Sequence, residues 1–476
     1  MPTELRITAK HWAQLRDQLL PNDGLEHAAF LICGFLETAD DTYLVTQEVV
    51  PLSRNDIVTY GGQHISVSPL ATARLAKLAR ARRATLVLCH SHPHGRGTVR
   101  ASTLDRRTEA DLCGRVLTRR VEGPVGALVL GHASLDGAVW TGDGMRALDR
   151  VRVIGDTIAT LVPTTAADAG LITGVLDRPE GVDDLLRKTE DRVDRQVRAW
   201  GAAGQRQLAR ARVGVVGCGG TGSQVVQQLA HLGVGHLVLV DYDVIESSNL
   251  SRIVGSVPDD IGRPKVDVLV DLVHRTQSLA SVTAHHLSVL SLDPTAIAEL
   301  DLVFACTDGH GSRALLNEIA QQFLVPIIDL GVEVMAAPTG VSAGGGVRVL
   351  RPGGGCLLCA GTLDAELVRQ EYLSEEARGR EVARGYLRDL SEPAPSVIAL
   401  NGVVASLAVL EACHLLAGMF GTPTDRLLYR AHARRLTTTA MVSDPGCHVC
   451  GVAGLLGLGS GQTVSTLYQA NSARHA

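Results

Sequence analysis

A glycine-rich segment near the middle of the chain has the residue types and the spacing of a phosphate-binding loop. Gly217, Gly219, Gly220 and Gly222 follow the apolar run 212–216, and a helical pattern begins directly afterwards. Glycines at these spacings allow a tight turn and a close approach of the backbone to a ligand. The free N–H groups at the start of the following helix attract phosphate. The segment therefore predicts a nucleotide site.

Charged residues downstream of this loop fit a nucleoside triphosphate with a divalent cation. Asp241 ends the next apolar run, 19 residues after the last glycine, where an acidic residue binds a ribose hydroxyl. Arg252 and Lys265 could offset phosphate charge, and Asp308, at the end of a later apolar run, could hold Mg²⁺. The alternative is that both cations are surface charges and Asp308 caps a helix. The loop and Asp241 alone fit an NAD-dependent oxidoreductase equally well.

Two Cys-x-x-Cys pairs, Cys356/Cys359 and Cys447/Cys450, offer four thiolates, and each pair follows a turn containing Gly or Pro. Four thiolates suit tetrahedral Zn²⁺ and leave no open coordination position, so the predicted ion is structural. Such an ion can contribute about 10–16 kcal/mol of apparent binding free energy. The alternative is four unpaired thiols.

A second candidate metal centre lies in the first third of the chain. His90 and His92 end an apolar run, and side chains at i and i+2 of an extended segment point to the same side. Ser102 and Asp105 follow, one helical turn apart, and Glu26 precedes another apolar run. Two histidines, a carboxylate and an open position describe a catalytic zinc with glutamate as general base. The alternatives are a helix capping box for the Ser/Asp pair and a solvated carboxylate for the glutamate.

The predicted elements that must position these residues define an α/β protein. Residues 1–162 form one domain and residues 163–192 a linker with a docking helix. Strands and helices alternate in 193–452, which is typical of a parallel, doubly wound sheet. The Gly/Ser-rich residues 453–476 predict a mobile tail. The predicted strands are 28–36, 43–50, 85–89 and 125–130, then 213–217, 236–240, 302–306 and 326–330, and the clearest helices are 69–83 and 185–199.

The composition indicates a globular protein without a surface suited to nucleic acid. Of 476 residues, 45% are hydrophobic and 20% charged, and the formal net charge is −5. Residues 1–10 lack the apolar core of a secretory signal. The apolar stretch 402–421 contains Glu411 and His414, which favours a buried helix over a membrane span. Ten cysteines without a disulfide framework indicate a reducing compartment, so we expect a cytoplasmic protein.

Residues 193–452 resemble the ThiF/MoeB family, the superfamily of ubiquitin-activating enzymes. The motifs that carry this resemblance are Gly-Cys-Gly-Gly-Thr-Gly, Asp-Tyr-Asp, Ser-Asn-Leu-Ser-Arg, Arg-Pro-Lys-Val and Cys-Thr-Asp. Members of the family adenylate the C-terminal glycine of a ubiquitin-like protein with ATP and Mg²⁺. The resemblance thus implies a Rossmann-like fold, these cofactors, and a partner that ends in Gly-Gly.

By the same motifs, the resemblance implies a role for individual residues. Asp241 would hold the ribose, Arg252 and Lys265 would contact phosphates, and Asp308 would bind Mg²⁺. The residues so assigned to nucleotide binding are Gly217, Gly219, Gly220, Gly222, Asp241, Asp243, Asn249, Arg252 and Lys265.

Two further expectations concern assembly and the fate of the adenylate. Arg195, in Asp-Arg-Gln, matches an arginine that in the family reaches across a dimer to the partner's nucleotide, which implies a homodimer. Residues 360–412 contain no cysteine, although family members that form a thioester often keep one there, and Cys413 lies in an apolar helix pattern. We therefore expect adenylation without an internal thioester, followed by transfer to a separate conjugating enzyme or sulfur donor.

The residues of the second candidate metal centre resemble the JAMM/MPN metalloprotease family, whose members cleave after the terminal glycine of ubiquitin-like proteins. The resemblance implies a JAMM-type α/β domain in which His90, His92 and Asp105 bind zinc. Glu26 would activate water and Ser102 would support the oxyanion. Nine residues separate His92 from Ser102, where the commoner family pattern has seven.

The two resemblances together predict an enzyme with two active sites and two zinc ions, one catalytic and one structural. One site would process or remove a ubiquitin-like protein and the other would activate its terminal glycine. The alternatives are activation of a sulfur-carrier protein for biosynthesis, an NAD-dependent oxidoreductase with a metal-binding accessory domain, and a catalytically silent scaffold.

Overall fold

The chain folds into two compact units, each described here from a computed structural model. The described residues are 2–38, 41–60, 65–94, 97–165, 182–277, 280–337, 340–383, 395–421 and 423–460. The first unit comprises Met1–Asp177 with Gln322–Leu324 and Leu455–Thr463, and the second comprises Arg178–Gln321 with Val325–Gly454 and Val464–Ala476.

Within its described residues, the first unit contains a nine-stranded mixed sheet in the order β11-β10-β1-β3-β2-β6-β7-β8-β9, with β4 and β5 forming a separate pair. The strands are β1 (Thr3–Thr8), β2 (Ala28–Glu37), β3 (Thr42–Pro51), β4 (Ile57–Tyr60), β5 (Ile65–Val67), β6 (Thr85–Ser91), β7 (Val125–Leu130), β8 (Leu135–Thr141), β9 (Gly144–Ala147), β10 (Arg150–Ile154) and β11 (Ile158–Leu161). The helices are α1 (Ala9–Leu19), α2 (Pro69–Ala81) and α3 (Thr103–Glu109), the last continuing in π-helical form over Ala110–Val116.

Both faces of this sheet are buried, because its central strands are apolar on both sides. On β2, Leu31 and Cys33 pack with Leu15 of α1 in one core cluster. Their neighbours Phe30 and Ile32 point to the opposite face and pack in a second cluster that includes α2. Alternation of side chains along a strand produces this division.

The second unit contains an eight-stranded sheet in its described part, in the order β14-β13-β12-β15-β16-β17-β18-β19. The strands are β12 (Arg212–Val216), β13 (His236–Val240), β14 (Ser281–His285), β15 (Leu302–Ala305), β16 (Ile327–Ala337), β17 (Gly340–Leu350), β18 (Arg426–Arg430) and β19 (Arg435–Thr439). The helices are α4 (Val182–Arg210, interrupted at Gly201), α5 (Gly220–Leu232), α6 (Lys265–Thr276), α7 (Pro294–Ala298), α8 (His310–Gln322), α9 (Ala365–Glu371), α10 (Glu375–Ala383) and α11 (Ile398–Ala417).

The strand order places a topological switch beside β12. The chain passes from β12 outward through β13 to β14, then returns to the other side of β12 as β15. These four strands and β16 pair in parallel. Segments leaving β12 and β15 at their carboxyl ends diverge to opposite sides of the sheet, and the crevice between them is where open α/β sheets bind ligands.

The doubly wound core was predicted, but the expectation of a wholly parallel sheet was wrong. Strands β16 to β19 pair antiparallel, and β17 to β19 were not predicted. Predicted strands 236–240 and 125–130 match β13 and β7, and the others differ by a residue or two at one or both ends except β16, which continues to Ala337. The glycines and threonines of β17 and β19 hide the apolar alternation that marks a strand.

The predicted linker and tail are only partly covered by the structure. Residues 166–181 and 461–476 lie outside the described residues. Residues 455–460 are hydrogen-bonded within the first unit, where Gly34 N–H donates to Gly457 O at 3.0 Å and Ser460 N–H to Phe35 O at 2.7 Å. The start of the predicted mobile tail is therefore fixed in place.

Within the described residues, α11 is the one helix long and apolar enough to cross a membrane, with a mean hydropathy of 1.7. Of its most apolar stretch, 56% is buried. The helix packs against α5 and β16 of the second unit. These contacts support its interpretation as a core helix.

Candidate functional site

A cavity of about 310 Å³ opens at the switch point of the second unit. The glycine loop, the ends of β13 and β15 and the start of α11 line it. Its lining residues include Gly217, Gly219, Gly220, Thr221, Asp241, Tyr242, Asp243, Arg252, Lys265, Ser288, Thr307, Asp308, Arg313, Gly331, Ser396 and Asn401. Most residues predicted to bind the nucleotide thus meet in one place.

The glycines of the loop serve different structural purposes. Gly217 has a positive φ of 92°, and a Cβ there would lie 2.8 Å from the Cys306 backbone. A Cβ at Gly222 would lie 1.9 Å from Gly217 O, so this glycine permits the turn and does not line the cavity. Gly219 has open space around it. It is the N-cap residue of α5, and as a glycine it has no side chain that could accept a hydrogen bond from the first N–H groups of the helix. The first N–H groups of α5 therefore remain available to phosphate.

Asp241 is held rigidly at the end of β13. Its Oδ2 accepts a hydrogen bond from Cys218 N–H at 2.6 Å and its Oδ1 accepts one from Asp243 N–H at 2.8 Å. Burial raises the pKa of Asp241, although these N–H groups and Lys265 act in the opposite direction. A carboxylate fixed in this way retains lone pairs that can accept from ribose hydroxyls.

The two predicted cations flank the glycine loop. Lys265 is 8% exposed, and its Nζ lies 2.6 Å from Asp243 Oδ2. Arg252 Nη1 donates to Ser248 O at 2.8 Å, and a Cβ added at Gly220 would lie 3.4 Å from Arg252 Cδ. Asp243 thus positions Lys265, and both cations are near the site where phosphates would bind.

Asp308 lies at the carboxyl end of β15, exposed to the cavity. Among the described residues, its carboxylate has no hydrogen-bond or ion-pair partner. An unpaired carboxylate facing a phosphate-binding loop fits a ligand for Mg²⁺, which prefers carboxylate and phosphate oxygens.

Besides Gly222, two predicted residues of the nucleotide site do not line this cavity. Asn249 is 4% exposed and does not line it; Arg252 and Ile253 N–H groups donate to its backbone oxygen at 2.9 and 3.0 Å. Asn249 therefore supports the turn that carries Arg252. Arg195 is exposed on α4, and its predicted role depends on a second copy of the chain.

Sequence reasoning missed several lining residues. Asn401, fully buried at the start of α11, lies so close to Gly220 that a Cβ there would be 2.3 Å from its Nδ2. Arg313 forms an ion pair with the buried Asp329 at 2.9 Å, as does Arg348 at 2.8 Å. A polar residue inside an apolar run, such as Asn401 or Asp329, was the signal that could have revealed them.

The four cysteines of the second unit converge, with all sulfur atoms within 4.8 Å of one another. Cys356 and Cys447 sulfurs are 3.8 Å apart, and those of Cys359 and Cys450 are 3.5 Å apart. Four thiolates around one Zn²⁺ at about 2.3 Å would be ~3.8 Å apart. Backbone N–H groups also donate to Cys447 and Cys359 sulfurs at 3.4 Å. The donor set and its spacing fit a structural zinc.

The second predicted metal centre is also assembled, in the first unit. Ligand atoms of His90, His92 and Asp105 lie within 4.8 Å of one another. His90 Nε2 is buried and, within the described structure, has no hydrogen-bond partner, as expected of an atom that coordinates a metal. Glu26, 5% exposed, has its Oε1 3.8 Å from His92 Nε2. The donor set fits Zn²⁺ with a carboxylate beside it.

Hydrogen bonding with Asp105 raises the pKa of His92, against the opposing effect of burial. Burial acts to raise the pKa of Asp105, but the neighbouring imidazoles of His90 and His92 hold it well below its ordinary value. The ionised carboxylate makes this group of residues favourable for a cation.

The sheet register explains why Glu26 and the histidines meet. Strands β2 and β6 are antiparallel, with Ala28 opposite His90. The residues before β2 therefore lie beside the carboxyl end of β6. Reciprocal bonds fix this edge, since Ser91 N–H donates to His27 O and His27 N–H donates to Ser91 Oγ, both at 3.0 Å.

The longer loop between His92 and Ser102 is tied to the β7–β8 turn. Val99 N–H donates to Ser134 Oγ at 2.7 Å and Ala101 N–H to Asp136 Oδ2 at 2.8 Å. These bonds bring α3, and with it Asp105, back to the histidines. Ser102 is exposed at the N-cap of α3 and forms a capping box with Asp105, so the capping interpretation and the metal interpretation are compatible.

Comparisons with known proteins place the second unit in a family. The model of the ThiF family matches residues 193–449. The chain belongs to the ThiF family. It is 30% identical over 267 residues to the molybdopterin-synthase adenylyltransferase of Escherichia coli K12, covering 55% of this chain and 96% of that protein. It is 31% identical over 257 residues to the SAMP-activating enzyme E1 of Haloferax volcanii, covering 54% and 86% respectively.

Among solved structures, the crystal structure of E. coli MccB with MccA-N7isoASN is similar to this chain. Sequence identity is 25%, the TM-score is 0.43, and the match covers 55% of this chain and 74% of that one. Together with the family match, the sequence relatives identify residues 193–449 as a ThiF-type adenylyltransferase domain that uses ATP.

Proposed function

We propose that the ThiF domain adenylates the C-terminal carboxylate of a small protein ending in Gly-Gly. A carboxylate oxygen of the tail attacks the α-phosphorus of ATP. The bond from that phosphorus to the bridging oxygen of the β-phosphate breaks, and diphosphate leaves. The product is an acyl-adenylate at the terminal glycine.

The residues of the cavity supply positioning and charge for this step. Asp241 orients the ribose, and the N–H groups at the start of α5 bind phosphate. Arg252 and Lys265 offset the negative charge that develops on the phosphates and the leaving diphosphate. Asp308 would hold Mg²⁺, and the ion would offset negative charge on the phosphates.

The observation that carries this proposal is the meeting of two cations and an unpaired carboxylate at one glycine loop. An NAD-dependent oxidoreductase would use the loop and Asp241 but needs no such trio around the phosphates. The trio therefore favours cleavage of a phosphoanhydride.

The partner is a ubiquitin-like or sulfur-carrier protein. The names of relatives support both classes, since one is a SAMP-activating enzyme E1 and another a sulfur carrier protein ThiS adenylyltransferase. Cys413 is 2% exposed within α11, and burial raises its pKa to about 12, which does not suit a thioester-forming thiol. The activated glycine would therefore pass to a separate conjugating enzyme or sulfur donor.

Mass spectrometry can test this reaction directly. The chain is incubated with ATP, Mg²⁺ and a panel of ubiquitin-like and sulfur-carrier proteins ending in Gly-Gly. We expect one partner to gain an adenylyl group at its terminal carboxylate, and the same partner without its last glycine to remain unmodified. Modification of both forms, or turnover of NAD by the chain, would contradict the proposal.

We also propose that the first unit is a zinc peptidase of the JAMM/MPN type, acting on the same class of tail. The convergence of His90, His92, Asp105 and Glu26 favours it. The three ligands would hold zinc, which polarises water and the scissile carbonyl. Glu26 would take the proton of the water and pass it to the leaving amine, and Ser102 would donate to the oxyanion.

Further parts of the proposal concern the assembly. The chain would act as a cytoplasmic homodimer in which Arg195 reaches the partner's nucleotide. Its exposure on α4 permits such a contact. The Cys356/Cys359/Cys447/Cys450 cluster would hold the structural zinc.

A further inference from the structure

The loop that carries Asp308 is held by a segment distant in sequence. Glu371, the last residue of α9, accepts a hydrogen bond from His310 N–H at 2.6 Å and one from Gly311 N–H at 2.9 Å. The two carboxylate oxygens thus cap the first turn of α8, where unpaired N–H groups and the helix dipole favour a negative charge.

The residues around this cap leave room for the carboxylate. A Cβ added at Gly309 would lie 2.6 Å from Glu371 Oε2, and one at Gly311 would lie 3.0 Å from it. Any side chain at Gly309 would therefore displace Glu371. Glycine on both sides of His310 is what permits the docking.

Two more hydrogen bonds join the same segments. Asp364 N–H donates to His310 Nδ1 at 3.1 Å, and the Tyr372 hydroxyl donates to Gly311 O at 3.4 Å. Tyr372 is 9% exposed, so the contact is packed as well as polar. The segment 364–372 and the start of α8 therefore form one rigid contact.

The metal-binding turn anchors the same helix at a second point. Leu357 N–H, between Cys356 and Cys359, donates to the buried Asn317 Oδ1 of α8 at 2.8 Å. α8 is thus held at its first turn by Glu371 and in its middle by the cysteine turn. The Asp308 carboxylate, two residues before the first turn, has no partner of its own within the described residues.

We propose that Glu371 is a positioning residue that fixes Asp308 for Mg²⁺, an inference that rests on the proposed adenylation function. Glu371 does not line the cavity, so it acts through the backbone of residues 309–311. Because a free carboxylate on an exposed loop would sample many orientations, fixing that backbone lowers the entropy lost when the ion binds. Residues that orient a metal ligand typically change metal affinity by about 10–100-fold when removed.

Binding of a fluorescent ATP analogue to the full chain, titrated with Mg²⁺, tests this role. Glu371→Ala should raise the half-saturating Mg²⁺ concentration by about tenfold or more and leave Mg²⁺-free binding of the analogue unchanged. Glu371→Gln, whose amide oxygen still accepts one bond, should give an intermediate shift. Glu366→Ala on the same helix is the matched control, because the Glu366 carboxylate accepts hydrogen bonds from Arg369 and Gln370 on the exposed face.

A double-mutant cycle distinguishes positioning from a general loss of folding. Gly311→Ala should raise the half-saturating Mg²⁺ concentration of the wild-type chain. It should add little to the effect of Glu371→Ala, because both substitutions disrupt the same contact between Glu371 and the start of α8. A Glu371→Ala titration like that of wild type, or a loss of Mg²⁺-free binding of the same size, would overturn the inference.

If wild type bound the analogue without any Mg²⁺ response, the magnesium role of Asp308 and this inference would both fail. Analogue binding with a normal Mg²⁺ response but no adenylation of any partner would contradict only the proposed function.

Discussion

At the scale of single residues, the charged groups of the nucleotide cavity divide into paired and unpaired ones. Asp241 is fixed by backbone N–H groups, and Lys265 is paired with Asp243. Asp308 lacks such a partner among the described residues. Paired groups are oriented before the ligand arrives, whereas the unpaired carboxylate is available to a cation. The chemistry of the site therefore depends most strongly on Asp308.

Replacing Asp308 with Ala should reduce adenylation by about 10²-fold or more, because the site loses its carboxylate ligand for Mg²⁺. The measurement is the initial rate of diphosphate release at saturating ATP. Asp259→Ala, which removes an exposed aspartate of the same unit, should react like wild type. An unchanged rate in the Asp308 variant would show that another residue holds the metal.

Glu318 of α8 should make the stability of the protein depend on pH. Burial raises the pKa of Glu318 to about 7 from 4.5, and its Oε2 has no hydrogen-bond partner in the described structure. The folded state holds this proton more tightly than the unfolded chain does. The stabilising effect is therefore complete below pH 4.5 and is lost as the pH rises through about 7.

Glu318→Gln should accordingly raise the Tm at pH 8 and change it little near pH 4.5. A gain of 1 kcal/mol corresponds to roughly 2–4 °C in a large domain. Thermal unfolding at the two pH values measures this, with Glu376→Gln on the exposed part of α10 as control. An equal effect of Glu318→Gln at both pH values would contradict the assigned pKa shift.

Residues of the site that belong to one continuous motif were predictable, and residues that reach it from elsewhere were not. The residues between the glycines Gly217 and Gly219 and Asp241 form the turn and the helix that follows it. This spacing therefore determines that the glycines and Asp241 lie close together. Glu371 and Asn401 reach the same region from other elements, and no local pattern encodes that contact. Asn249 matches a family motif but supports a turn. A motif does not reveal whether a residue contacts the ligand or stabilises the backbone that carries such a residue.

At the scale of elements, two devices bring distant residues together. In the first unit the antiparallel register of β2 and β6 places Glu26 beside the histidines. In the second unit the cysteine cluster joins the turn at 356–359 to the turn at 447–450. Buried parallel strands were predictable from their apolar runs, whereas the Gly-rich β17 was not, since its pairing depends on its neighbours β16 and β18.

The cysteine cluster should bind one zinc ion that stabilises the second unit. Cys447→Ser should lower the zinc content by one ion per chain and the Tm by more than about 5 °C, because loss of a structural metal costs several kcal/mol. Elemental analysis and calorimetry measure the two effects. Cys413→Ala removes a buried cysteine of the same unit that is not in the cluster, and it should retain all the zinc. Full zinc content in Cys447→Ser would exclude this site.

At the scale of the whole molecule, each compact unit contains its own assembled set of chemical groups. The first has a His/His/Asp cluster with a neighbouring glutamate, and the second has a nucleotide cavity and a four-cysteine cluster. The predictions of two domains and of a site in each followed from motif order. The return of residues 455–460 to the first unit did not, because short Gly/Leu segments lack a periodic signal.

The two activities should be separable by single substitutions. Glu26→Gln should slow cleavage of a Gly-Gly-linked fusion by about 10²–10⁴-fold, the usual contribution of a general base, with zinc still bound and adenylation unchanged. Asp308→Ala should show the reverse pattern. Both rates are measured on the same preparations, with zinc content as the folding control. Cleavage by Glu26→Gln at the wild-type rate would mean that another group activates the water.

The reaction that we propose for the second unit is cleavage of ATP at the α-phosphate by a protein carboxylate. Exchange of labelled diphosphate into ATP measures this step in the reverse direction. We predict exchange that requires both Mg²⁺ and a partner with an intact Gly-Gly tail, and that disappears when the tail is shortened. A complete absence of exchange across the panel of ubiquitin-like and sulfur-carrier proteins, from a folded chain that binds ATP, would mean that the second unit does not adenylate such a tail.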